Sequence, residues 1–74
     1  MHRVGQVVRT AQGLAILRAE DDHAEIGTMV VDDSLEGVGR IVDVFGPVDR
    51  PYLALTPADG VHLPRLVGST LYAR

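Results

Sequence analysis

The residues most able to do chemistry are an acidic run, Glu20-Asp21-Asp22-His23-Ala24-Glu25, and the isolated Asp43. The run offers oxygen and nitrogen ligands, but it lacks the alternating ligand series and closing glutamate of a calcium loop. A solvated loop is the simpler expectation. His2, His23 and His62 stand far apart and do not form the i, i+4 pair that grips zinc from a helix. Gly37-Val38-Gly39 has two glycines where a dinucleotide fingerprint needs three and a following helix, so it reads as a turn entering a strand. Neither Ser34 nor Ser69 lies in a G-x-S-x-G elbow, and there is no cysteine for thiol or zinc chemistry. Asp43 has no second acid or base placed to work with it, so a hydrogen-bonded structural role is expected. No catalytic set, metal, cofactor or small-molecule ligand is implied. A domain this small also leaves little room for a pocket of ~300 Å³ or more.

A different kind of pattern runs from Val44 to Tyr52. Val44-Phe45-Gly46-Pro47-Val48-Asp49-Arg50-Pro51-Tyr52 gathers apolar, aromatic and imino residues around one arginine. Two prolines stiffen such a segment, so little ordering entropy remains to be lost when a partner arrives. Tyrosine and arginine are the residue types that most often anchor interfaces. Gly46, Pro47, Val48, Pro51 and Tyr52, with Phe45 and Arg50 beside them, are the candidate docking loop. From the residues alone Phe45 and Tyr52 are equally suited to closing the end of a small core.

The elements that must hold this loop are strands. Eight glycines and four prolines interrupt the 74 residues, and no sustained helical period lies between them. Short runs of valine, isoleucine and leucine favour strands over Val4–Thr10, Leu14–Ala19, Thr28–Val31, Val38–Phe45, Tyr52–Thr56 and Thr70–Ala73. Gly13 suits a tight hairpin between the first two, and Asp32-Asp33-Ser34 suits a turn after the third. In the longest strand Val38, Arg40, Val42 and Val44 alternate with Gly39, Ile41, Asp43 and Phe45. Ala58–Gly68 reads as a loop. Six short strands without a helix predict an all-β, six-stranded closed barrel, because closure removes the exposed edges that invite aggregation.

Charge and length narrow the partners. One domain over residues 1–74 is expected. Seven arginines, no lysine and ten acids give a net charge of −3. A domain that grips nucleic acid alone normally carries a basic patch, because phosphate contacts displace counterions. Residues 1–37 hold three arginines and seven acids, whereas residues 38–74 hold four arginines and three acids. Any RNA role is therefore expected to be indirect or confined to the second half. No apolar run is long enough to span a membrane, and Met1–Gly5 lacks a signal-like apolar stretch, so a soluble cytoplasmic protein is expected.

Gly39–Tyr52, read as G-R-I-V-D-V-F-G-P-V-D-R-P-Y, resembles the signature of the GAR-domain subunit of the H/ACA ribonucleoprotein in its archaeal form. Ile26–Asp32, Leu66–Tyr72 and Gly5–Val8 with the Leu14 strand fit the same pattern, so the resemblance covers nearly the whole chain. It implies a barrel of the translation elongation factor type and a non-catalytic subunit of the RNA-guided pseudouridine synthase complex. Such a subunit docks on the dyskerin-type catalytic subunit, away from the guide RNA, and promotes substrate loading and product release in rRNA pseudouridylation. The isomerising aspartate belongs to the synthase, so Asp43 takes no such role. Larger eukaryotic members carry glycine-arginine-rich tails; these 74 residues hold none, which agrees with guide RNA being met only through the complex. PRC-barrel and ribosome-maturation barrels share strings like Ile26–Asp32 and Gly39–Val44 but lack the continuation through Tyr52.

Overall fold

The hairpin expected at Gln12-Gly13 is a two-residue turn. A computed structural model describes residues 2–20 and 23–74, and in it β1 (His2–Ala11) pairs antiparallel with β2 (Leu14–Ala19), Ala11 opposite Leu14. Gln12 and Gly13 have φ of 52° and 78°, the doubly positive pattern whose twist matches the flanking strands. β3 (Met29–Val31) is short and ends in a turn organised by Asp32. The Asp32 Oδ1 accepts the amides of Ser34 and Glu36 at 2.8 and 3.0 Å, a side chain standing in for a backbone turn. β4 (Gly37–Phe45) and β5 (Tyr52–Pro57) form a long hairpin, and β6 (Thr70–Ala73) closes the sheet.

The strands form a closed, wholly antiparallel barrel in the order β1-β2-β5-β4-β3-β6. The all-β closed barrel expected from the strand spacing is therefore the fold. Its interior is apolar: Val7, Leu17, Val30, Ile41, Leu53, Leu55 and Leu71 are the largest fully buried side chains, and no polar residue among the described ones is buried. Each such side chain contributes about 1.5–3 kcal/mol when withdrawn from water.

Besides β1 being the longest strand, at ten residues against nine for β4, two features depart from the sequence expectations. Strict alternation in β4 fails, because the register slips against β3 between Val30 and Val31 and against β5 between Ile41 and Asp43. Each slip is a bulge that adds one residue and turns the following side chains over. Val38 and Ile41 consequently both enter the core, and Val44 packs on it while Asp43 and Phe45 point out. Gly37 and Gly39 lie within β4 rather than in a turn. A Cβ on Gly39 would run into the Thr56 carbonyl and the Leu55 side chain, so glycine lets β4 approach β5 closely. The second departure lies in 58–68, where Leu63–Leu66 forms one 3₁₀ turn with Pro64 in its first turn. Leu63 and Leu66 pack against the core. Four residues are too few to show a period, which is why the segment reads as loop.

A candidate docking surface

β4 delivers Phe45 and β5 begins at Tyr52, and the two residues face each other in register. Their rings stack with centroids 5.8 Å apart at an interplanar angle of 27°. The chain between them must leave the sheet and return within six residues. Gly46 starts the exit with φ of 92°, and a Cβ there would come within 3.1 Å of Tyr52 Cδ2, so the aromatic pair and the bend need glycine together.

The returning arm is fastened to the end of β2. The Ala19 amide donates to the Pro51 carbonyl at 3.1 Å, and Arg50 Nε donates to the Ala19 carbonyl at 3.3 Å. Pro51 is buried, so it rivets the loop to the barrel and offers no surface of its own. Pro47, Asp49 and Arg50 are exposed, and Val48 at the apex is 95% exposed. Phe45 is 37% exposed and Tyr52 half-buried. The structure thus places Pro47, Val48 and Arg50 on one exposed projection, with Gly46, the buried Pro51 and the Phe45–Tyr52 pair at its base.

Arg18 belongs to the same surface and was missed by sequence reasoning. It lies opposite Tyr52 in the β2–β5 pairing. Its Nη2 donates to Tyr52 Oη at 3.0 Å, and its Cζ stands 5.3 Å from the Tyr52 ring centroid. Because β5 sits between β2 and β4, Arg18, Tyr52 and Phe45 form one row across three strands. Gln6, opposite Arg18, continues the row onto β1. No local signal links residues 34 positions apart; only the pairing of non-consecutive strands does so.

Among the described residues, the other candidates do not converge on a reactive centre. Asp43 is exposed, and its Oδ1 accepts the Val44 amide at 2.8 Å, a local bond beside the bulge. His2, His23 and His62 are exposed, His2 within β1 rather than before it. Asp21 and Asp22 lie outside the described residues. Glu20, His23 and Glu25 line, with His2, Arg3 and Thr28, an open cleft of about 590 Å³. That volume corrects the expectation of little room for a pocket: the space lies where the loop after β2 meets the ends of β1 and β6, outside the filled interior. No group of three metal-ligand residues occurs among the described residues. No helix is long and apolar enough to cross a membrane among the described residues.

No protein-family model matches the chain. It is similar to an uncharacterized protein of Methanothermobacter thermautotrophicus, 25% identical over 75 residues that cover 97% of this chain and 82% of that protein. It is also similar to an uncharacterized protein of Methanocaldococcus jannaschii, 35% identical over 49 residues that cover 66% of this chain and 58% of that one. Both relatives are archaeal, and this chain is similar to them over most of its barrel.

Proposed function

We propose that this chain is a non-catalytic subunit of an archaeal H/ACA ribonucleoprotein, docking through the 45–52 projection on a dyskerin-type pseudouridine synthase. In that role it promotes substrate loading and product release during cytoplasmic rRNA pseudouridylation. The observation that carries the reading is the combination of a 95% exposed Val48 with a base fastened at Gly46, Arg50 and Pro51. An apolar tip on a loop whose ordering entropy is already largely spent suits docking into a protein pocket. The motif resemblance over Gly39–Tyr52 supplies the identity of the partner.

Direct RNA binding is less well supported by the same geometry. Single-stranded RNA is held by bases stacking on open aromatic faces. Tyr52 already stacks on Phe45 and carries Arg18 over its ring. Guide RNA is accordingly met through the complex.

Co-purification with the synthase, followed by multiple-turnover assays with and without this chain, tests the reading. A stoichiometric complex and faster turnover are expected. A folded chain that fails to co-purify, or leaves turnover unchanged, overturns it.

A further inference from the structure

We propose that Arg18 is the charged element of the docking surface, and that the partner's patch carries a carboxylate opposite it. The inference rests on the docking role proposed above and adds the chemistry of the partner. Arg18 is exposed and hydrogen-bonded to a neighbouring side chain. The β2–β5 register places it next to Tyr52, and the bond from Nη2 to Tyr52 Oη holds the guanidinium along the ring. A guanidinium has five N–H donors, and Tyr52 Oη takes one. The remaining donors of the planar fork are presented beside the Tyr52 ring, an arrangement suited to capturing a carboxylate through two parallel bonds. Holding the side chain in advance removes much of the rotamer entropy that an exposed arginine loses on binding.

The test is the affinity of the full chain for the purified synthase over a range of salt. Arg18→Met retains the stem and removes the charge; Arg18→Gln is a second neutral variant, and Arg18→Lys keeps the charge without the fork. Thermal melts establish that each variant is folded. Each neutral variant is expected to bind about tenfold more weakly and to flatten the salt dependence of Kd. Arg18→Lys is expected to retain the salt slope with part of the affinity. Val48→Ala, which leaves the charge in place, is expected to weaken binding without changing the slope. Folded neutral variants with the parent affinity and slope overturn the inference and leave the docking role standing. Absence of binding by the unmodified chain overturns both.

Discussion

Replacing Val48 by aspartate is expected to leave the barrel intact and abolish docking. Val48 is 95% exposed at the apex of the 46–51 loop and stands apart from the core cluster, so folding stability should change by no more than ~0.5 kcal/mol. Full burial of a valine side chain contributes about 1.5–3 kcal/mol. Val48→Ala deletes its two γ-methyl groups and should cost about 1–2 kcal/mol of affinity, or roughly 5–30-fold in Kd. Aspartate adds to this the desolvation of an unpaired carboxylate, which costs several kcal/mol more and takes the loss beyond roughly 100-fold. The assay pairs calorimetric or interferometric titration of the synthase with a thermal melt of each variant. Unchanged melting with a graded loss from valine to alanine to aspartate is the expected outcome. Parent-like binding by a folded Val48→Asp variant refutes the reasoning, because it shows that the exposed tip stays in water.

Three further predictions concern the scaffold. Gly39→Ala sets a Cβ against the Thr56 backbone carbonyl, which cannot swing away as a side chain can; the loss should be about 2–4 kcal/mol in urea unfolding, and an unchanged midpoint would show that β4 and β5 separate freely. Gly46→Ala combines positive φ with a tight approach to Tyr52 and should cost about 1–2 kcal/mol, read as a lowered melting temperature. β3 and β6 meet at the single pair Val31–Tyr72, so hydrogen exchange should open this seam before the β2–β5 pairing; equal protection in both places contradicts that order.

Much of the architecture was legible because its signals are local. Gln12-Gly13 announces its turn, Asp32 announces the loop it caps, and branched apolar runs announce strands. The bend itself was legible for the same reason, since two prolines and a glycine within 46–51 can be read without any neighbour. The alternation in β4 was misleading, because a bulge is a property of two strands in register and leaves no mark on one of them. The 3₁₀ turn at Leu63–Leu66 is held by packing of two half-buried leucines against the core, a contact that depends on the barrel being closed.

By itself the sequence determined that the chain is a small all-β domain with a stiff, apolar bend between two of its three aromatic residues. Turn preference, side-chain period and the missing amide of proline act over a few residues, so they are written in order along the chain. Only the tertiary structure decided that Val48 faces water while Pro51 is buried, that Phe45 and Tyr52 stack on each other, and that Arg18 completes their row. The place of Arg18 and the fastening of Pro51 depend on β2 lying beside β5, and strand pairing at a distance is selected by burial of the whole core rather than by any residue within the pair.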